Sequence, residues 1–203
     1  AGAVKGDSVR AAMRQAFGDI PRGPAITRPA PAAFTVRDTV MVAEDQVQLP
    51  RLYLAWRSVP QYHADDAALN VARMVLSGAR NARLTNALIY EQEVAKDVFA
   101  NNDSKKLDGD FGITATARPG VTLNVLKGAI DKEIRRLATD GPTTRELEQA
   151  RNAIEAGFLN RLEFVNAKAE QLNEYYYYTG TPDYFQRDLD RHRAVTADDV
   201  KRV

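Results

Sequence analysis

An apolar row at helical spacing runs through the C-terminal third of the chain. Apolar side chains recur every three or four positions at Leu147, Ala150, Ile154, Phe158, Leu162, Val165, Ala169 and Leu172. This period places them on one face of a helix. A capping box of Thr143 and Glu146 marks the start of the helix, and Gly180 marks its end. The pattern therefore predicts that residues 144–178 are essentially all helix.

The same pattern predicts which face of this helix is buried. Ile154, Phe158, Leu162 and Val165 lie on one stripe, which we expect to pack against a sheet, whereas Glu155 lies on the polar side. A bend near Gly157 or Asn166 is compatible with the spacing. A buried phenylalanine contributes about 3 to 5 kcal/mol relative to alanine. We therefore expect Phe158→Ala to be costly and Glu155→Ala to have little effect.

Runs with strand-like alternation occupy the rest of the chain, in pairs separated by helices. The sheet is predicted to contain residues 34–42, 47–57, 97–101 and 110–117, with the first two strands joined near Glu44 and Asp45. Helices are predicted at 65–76 and 83–93. This order favours an α+β fold, with a mostly antiparallel sheet, helices packed on one face and a long C-terminal helical segment.

The polar segment 101–110 is predicted to be a long hairpin loop, with Gly109 and Gly112 serving a bulge or a close backbone approach. Residues 18–33 contain four prolines and two glycines, which predicts an extended connector. Residues 1–203 are expected to form a single domain. We also expect the chain to be a fragment of a larger protein, because it begins without a methionine and ends just after a helix start signal.

Composition excludes several functional classes. The 28 Lys and Arg residues nearly balance the 27 Asp and Glu residues, so no global charge favours nucleic acid. The absence of cysteine excludes disulfides, thiolate nucleophiles and cysteine-based zinc sites. No apolar run reaches the ~20 residues of a membrane span.

No residue of this chain is predicted to be catalytic, cofactor-binding or metal-ligating. The histidines, His63 and His192, are far apart in sequence, and neither lies in an H-x-x-E-H or H-E-x-x-H spacing. No G-x-S-x-G motif surrounds a serine, and the glycines at 109 and 112 lack the Gly-Lys-Ser/Thr of a phosphate loop. Both histidines are expected to be structural or at the surface.

Two further features leave alternatives open. In the run Tyr175-Tyr176-Tyr177-Tyr178, one or two rings must face the core, and the others face solvent, a neighbouring domain or a substrate groove. Arg73, Arg80 and Arg83 form a local basic group, for which a solvated helix end is the favoured interpretation.

The linear order of several short motifs resembles the second structural domain in one half of a pitrilysin/insulinase-type zinc peptidase. The motifs are Gly6-Asp7 before a helix ending in Phe17-Gly18-Asp19-Ile20-Pro21, Leu49-Pro50-Arg51-Leu52-Tyr53-Leu54-Ala55-Trp56, Leu76-Ser77-Gly78 followed by Ala82-Arg83-Leu84, residues 95–100, Gly109-Asp110-Phe111, Gly141-Pro142-Thr143 with Glu146-Leu147, and Val195-Thr196 with Asp198-Asp199-Val200. Each motif is short, but the resemblance covers nearly the whole chain.

The resemblance implies a two-half peptidase in which an H-x-x-E-H helix of another domain holds zinc. None of that motif is present here, so no zinc ligand is implied in this chain. The Arg/Tyr pair that such peptidases use against the scissile carbonyl would fall on Tyr90 and Asp97, which match neither residue. The resemblance therefore implies a non-catalytic domain that contributes walls to a peptide chamber and contacts other domains or a subunit of the same bacterial peptidase.

Two other functions remain open at this point. A catalytically inactive partner subunit or scaffold protein of the same fold would show the same motifs. A small-ligand binding module of unrelated ancestry would instead have one deep pocket lined by the tyrosines. Periplasmic residence is the expectation that the resemblance and the lack of cysteine favour.

Overall fold

Local sequence signals mark the ends of several helices. The computed structural model describes residues 2–27, 35 and 37–203. The elements are α1 (Gly6–Phe17), β1 (Arg51–Ser58), α2 (Asp66–Ser77), a π-helix (Thr85–Glu91), β2 (Ala95–Ser104), β3 (Gly109–Ala117), α3 (Leu123–Asp140), α4 (Thr144–Arg161), α5 (Val165–Thr179), α6 (Phe185–Arg193) and α7 (Ala197–Arg202). Capping boxes open α4 at Thr143 and α7 at Thr196. Gly141, with φ of 74°, follows α3 in a conformation that favours glycine.

The described strands form one antiparallel sheet in the order β1-β3-β2. Leu54 of β1 and Ala100 of β2 both pair with Ile113 of β3, and these side chains point to the same face. Ile113 and Ala100 are buried, and Leu54 packs against the core. The prediction of an α+β fold with an antiparallel sheet is confirmed.

Helices cover the inner face of the sheet in layers. Helix α2 packs against β2, and α3 packs against β1 and β3. The largest fully buried apolar side chains come from these helices, the π-helix region and β3, and they are Val71, Leu84, Leu88, Ile113, Leu126 and Ile130. Helix α7 contacts α2 and α3, whereas α4 packs against α2 and α6.

The strand predicted at 34–42 is wrong over residues 37–42. Phe34 and Val36 lie outside the described residues. Residues 37–42 have no strand partner within the described structure, and Val40 and Val42 are exposed. Their alternation is a real β-like pattern, but a strand needs a neighbouring strand to satisfy its backbone groups. The predicted strand at 47–57 is shorter in the structure, since β1 begins at Arg51.

The hairpin loop predicted at 101–110 is also too long. Strand β2 continues to Ser104 and β3 begins at Gly109, so only residues 105–108 form the loop. Polar residues continue the strand because Asn102 and Ser104 both bond the buried Asp66 carboxylate, at 3.0 Å each. A Cβ on Gly109 would meet the Val59 carbonyl oxygen at 2.6 Å, as the close approach predicted for this glycine requires.

The long C-terminal segment is helical as predicted, but it is two helices. Residues 162–164 separate α4 from α5, and Phe164 has extended backbone angles. The predicted burial against the sheet is wrong. Ile154, Phe158 and Leu162 are only partly buried, and Val165 is 49% exposed. Because α2 and α3 already cover the sheet, α4 forms an outer layer and buries its N-terminal residues Leu147 and Ala150 instead.

Candidate docking surface

Helix α1 has an apolar stripe that no described part of the chain covers. Val9, Met13 and Phe17 lie four residues apart on one side, and α1 contains no buried residue. Phe17 is 56% exposed. An amphipathic helix obtains most of its stability by packing its apolar face, and a 12-residue helix alone is marginal in water. The stripe is therefore a surface suited to contact with another protein surface.

Residues 37–43 present a second uncovered apolar surface. Val40, Met41 and Val42 are consecutive and lie outside any helix or strand, and Val40 is 89% exposed. Three adjacent β-favouring or apolar residues with both faces open are a typical interaction segment, since isolated strands are not stable in water. This segment joins the proline-rich connector to β1.

The outer face of the sheet, opposite the helices, is the third surface. Tyr53, Thr114 and Phe99 form one row across the three strands, because Thr114 pairs with both of the other two. Tyr53 is 69% exposed and Phe99 is 58% exposed. An antiparallel sheet can face water on one side, but exposed aromatic rings on that side are suited to contact with another surface.

Polar residues surround this aromatic row. Thr116 donates a 3.0 Å hydrogen bond to Asp97, and the Arg51 guanidinium lies 5.6 Å from the centre of the Tyr53 ring. Apolar rings with a polar margin are the usual composition of a protein interface. We use the term docking surface for α1, residues 37–43 and this outer face together.

The two histidines lie in different parts of the fold and differ in burial. His63 is exposed in the turn before α2, where its Nδ1 accepts a 3.2 Å hydrogen bond from the Asp65 amide. His192 is largely buried in α6, and its Nδ1 lies 2.8 Å from the Asp188 carbonyl oxygen. Burial lowers the pKa of His192 below its ordinary value. Within residues 2–27, 35 and 37–203, no three His, Asp or Glu side chains form a group of the kind that could hold a metal ion.

The tyrosine run divides as its helical spacing requires. Tyr175 is fully buried and donates a 2.8 Å hydrogen bond to Asp188. Tyr178 is partly buried against Tyr62, whereas Tyr176 and Tyr177 are exposed. The inner rings pack against other aromatic side chains, including that of Tyr62.

The three arginines do not form one solvated group, so that interpretation is wrong for Arg83. Its side chain is only 9% exposed and bonds Glu146 at 2.7 and 2.8 Å and the Gly141 carbonyl oxygen at 2.8 Å. Arg73 bonds Asn70, and Arg80 donates a 3.0 Å hydrogen bond to the Tyr90 hydroxyl. The N-terminal end of α4 provides the partner that the local sequence around Arg83 could not indicate.

Sequence reasoning missed a buried polar cluster between α2 and α6. Arg191 bonds Asp66 and Asp188 at 2.6 Å each, and Asp66 is 1% exposed. These residues lie 125 positions apart at the extremes, so no spacing rule connects them. A buried carboxylate is costly unless a positive charge pairs with it, and Arg191 supplies that charge for both carboxylates.

No helix in the described part of the chain is long and apolar enough to cross a membrane.

Several solved structures have a fold similar to that of this chain. A protease from Helicobacter pylori superposes with a TM-score of 0.85 at 19% identity, covering 98% of this chain and 49% of that chain. A peptidase M16 inactive domain from Pseudomonas fluorescens superposes with a TM-score of 0.75 at 20% identity, covering 99% of this chain and 48% of that chain. The inactive peptidase domain of a candidate zinc protease from Bordetella parapertussis superposes with a TM-score of 0.66 at 21% identity, covering 76% of this chain and 83% of that chain.

The present chain thus spans about half the length of the H. pylori and P. fluorescens proteins. No curated protein sequence matches it. The family model of the peptidase M16 inactive domain matches residues 1–154, which is most of the chain. The resemblance found in the motifs is thereby confirmed, and the chain belongs to the peptidase M16 inactive domain family.

Proposed function

We propose that this chain is the non-catalytic domain of a longer bacterial zinc peptidase. In this proposal α1 and residues 37–43 pack against the remainder of that peptidase, and the outer face of the sheet lines the peptide chamber. The observation that carries the proposal is that α1, residues 37–43 and the outer sheet face each expose apolar side chains that no described residue covers. Soluble proteins rarely leave several such surfaces open unless another surface covers them. The H. pylori and P. fluorescens proteins contain about as much chain again, which supplies a candidate partner.

The domain would contribute binding surface rather than chemistry. A sheet whose helices all lie on one side can present its other side to a substrate chamber. The exposed rings of Tyr53 and Phe99 and the polar side chains around them are suited to contact an extended peptide, since aromatic rings bury much surface with few rotatable bonds. Zinc would be held by an H-x-x-E-H helix in the other part of the parent protein, where it would activate water for peptide hydrolysis.

The test uses the protein encoded by the complete gene. We expect an H-x-x-E-H motif in it or in a partner encoded beside it, stoichiometric zinc by elemental analysis, and cleavage of a fluorogenic peptide. Replacing Val9, Met13 and Phe17 together by serine should weaken the contact and reduce cleavage. Gln15→Ala, a matched change on the same helix but outside the apolar stripe, should leave cleavage unchanged.

Two results would contradict this proposal in different ways. A complete protein with no H-x-x-E-H motif, zinc or cleavage would favour the inactive partner subunit or scaffold protein. Full activity in the triple serine variant would mean that α1 does not form the contact. Periplasmic residence is part of the proposal, and fractionation of cells expressing the complete protein tests it.

A further inference from the structure

Tyr62 has an unusual backbone conformation for a large side chain. Its φ is 62°, and within the described chain it shares positive φ only with Glu93 among non-glycine residues. A bulky residue in the left-handed region is strained, and such strain persists only where the surroundings hold the residue in place. The contacts of Tyr62 identify those surroundings.

The Tyr62 ring is the centre of an aromatic cluster. Its centroid lies 5.9 Å from that of Tyr175, 5.7 Å from that of Tyr178 and 5.4 Å from that of Tyr184. The Arg191 guanidinium carbon lies 4.8 Å from the ring centre. All four partners belong to α5, α6 or the segment between them. One strained residue therefore contacts the C-terminal arm, which we define as residues 165–193, at four places.

Polar contacts at the same point join the arm to the core. The Tyr62 hydroxyl donates a 2.9 Å hydrogen bond to Glu174 of α5, and its amide lies 3.3 Å from the Asp66 carboxylate, which it can donate to. Asp66 in turn bonds Arg191 of α6 at 2.6 Å. Burial, followed by the Glu174 charge, raises the pKa of Tyr62, so its hydroxyl stays protonated as a donor.

The other contacts of the arm lie mostly near the surface, and they include the 2.9 Å hydrogen bond from Lys106 to the Tyr177 carbonyl oxygen and the ion pair between Arg193 and Glu155. Only Gln171 and Tyr175 are buried in α5. Non-helical residues 162–164 precede the arm and residues 194–196 follow it, so both of its ends can bend without unwinding a helix. Helix α6 packs against α2 and α4, partly through a contact between Phe158 and Phe185 with ring centroids 5.5 Å apart.

We propose that the C-terminal arm opens as one unit about the breaks at 162–164 and 194–196, and that Tyr62 is the latch that holds it closed. Segments joined to a fold by few buried contacts open with a lower free energy than the core. The strain at Tyr62 makes the latch less stable than its contacts alone would be. This inference does not depend on the proposed peptidase function.

The first test is native-state hydrogen exchange on the unmodified chain in increasing urea below the unfolding transition. We expect the amides of α5 and α6 to share one opening free energy below that of β3, with a smaller urea dependence because less surface is exposed. Equal free energies and equal urea dependence in the arm and in β3 would overturn the proposal.

The second test compares variants at residue 62. Tyr62→Ala removes the ring and should increase exchange in residues 165–193 by about tenfold or more, with a much smaller change in β3. Tyr62→Phe keeps the ring and loses only the bond to Glu174, so its effect should be smaller. Tyr62→Gly should be less disruptive than Tyr62→Ala, because glycine adopts φ of 62° without strain.

Tyr176→Ala is the control, because it removes an exposed tyrosine ring from α5 within the arm itself. Amide hydrogen exchange in the Tyr176→Ala variant should resemble that of the unmodified chain. Unchanged arm exchange in Tyr62→Ala, or equal increases in the arm and β3, would overturn the latch. If Tyr62→Ala fails to fold, the measurement on the unmodified chain and Tyr62→Phe still decide the matter.

Discussion

At the residue scale, the best-defined polar interaction joins the segment before the π-helix to the start of α4. Arg83 makes two hydrogen bonds to the Glu146 carboxylate, and Glu146 also completes the capping box with Thr143. One side chain thus fixes a helix end and a contact between two distant segments. The hydrogen bond from Arg83 is the largest cause that lowers the pKa of Glu146, from 4.5 to about 2.

This shift predicts a specific pH dependence of stability. A carboxyl whose pKa is lower in the folded state stabilises the fold above the unfolded pKa and loses that contribution as pH falls through the folded value. We therefore expect Glu146→Gln to lower the free energy of unfolding by about 1 to 3 kcal/mol at pH 7, because it leaves the largely buried Arg83 poorly paired. The difference in free energy of unfolding between this variant and the unmodified chain should shrink as the pH falls from 4.5 to about 2.

Urea melts at several pH values measure this gap, and Glu148→Gln on the exposed side of α4 is the control. A gap of constant size across this range would mean that the Arg83 contact does not set the ionisation of Glu146.

At the element scale, burial separates the inner helix layer from the outer one. Ile130 of α3 is fully buried in the core, whereas Phe158 of α4 is partly buried beside Phe185. Helices α2 and α3 cover the sheet, and α4 packs outside them. The layer in which a helix lies therefore decides how much it stabilises the domain, and apolar periodicity alone does not. Glu155 of α4 is likewise not a bare polar residue, because it forms an ion pair with Arg193 of α6.

We expect Ile130→Ala to cost about 2 to 5 kcal/mol, the usual range for a fully buried aliphatic side chain. Phe158→Ala should cost about 0.5 to 3 kcal/mol, less than a core phenylalanine, because its ring is only partly removed from water. Chemical denaturation of both variants under the same conditions provides the comparison. A larger loss for Phe158→Ala would place α4 in the central core.

The ion pair changes one sequence-based expectation. Glu155→Ala should lower stability slightly rather than leave it unchanged, and the loss should diminish in high salt because the pair is exposed to solvent. Thermal melts in low and high salt check this. A loss independent of salt would argue against a contribution from the pair.

At the scale of the whole molecule, the described residues separate into a packed domain from about residue 50 onward and an N-terminal part that buries almost nothing. This division is the structural basis of the proposed docking surface. It also means that the N-terminal part should contribute little to the stability of the isolated chain.

We therefore expect the combined replacement of Val9, Met13 and Phe17 by serine to leave the urea midpoint of the isolated chain unchanged. Amides of α1 should exchange almost without protection in that chain, because a short helix without packing is marginal. They should become protected in the longer protein. A lowered midpoint in the isolated variant would show that α1 already packs against this domain.

The sequence by itself determined the features that depend on neighbouring residues. The capping box at Thr143, the strand predicted at 110–117 and the helical period after residue 144 all follow from local backbone hydrogen bonding and side-chain direction. The motif order also identified the family, because it records the succession of these local elements. The lack of local catalytic motifs led to the expectation that the chain itself has no catalytic residue.

Only the tertiary structure decided what depends on the arrangement of the elements. Whether residues 37–42 form a strand depends on a partner strand, and the depth of Phe158 depends on which helices reach the sheet first. Arg83 bonds Glu146, which is 63 positions away in the sequence, and Arg191 bonds Asp66, which is 125 positions away. Local periodicity indicates which side of an element is apolar, but the available partner surface decides whether that side is buried.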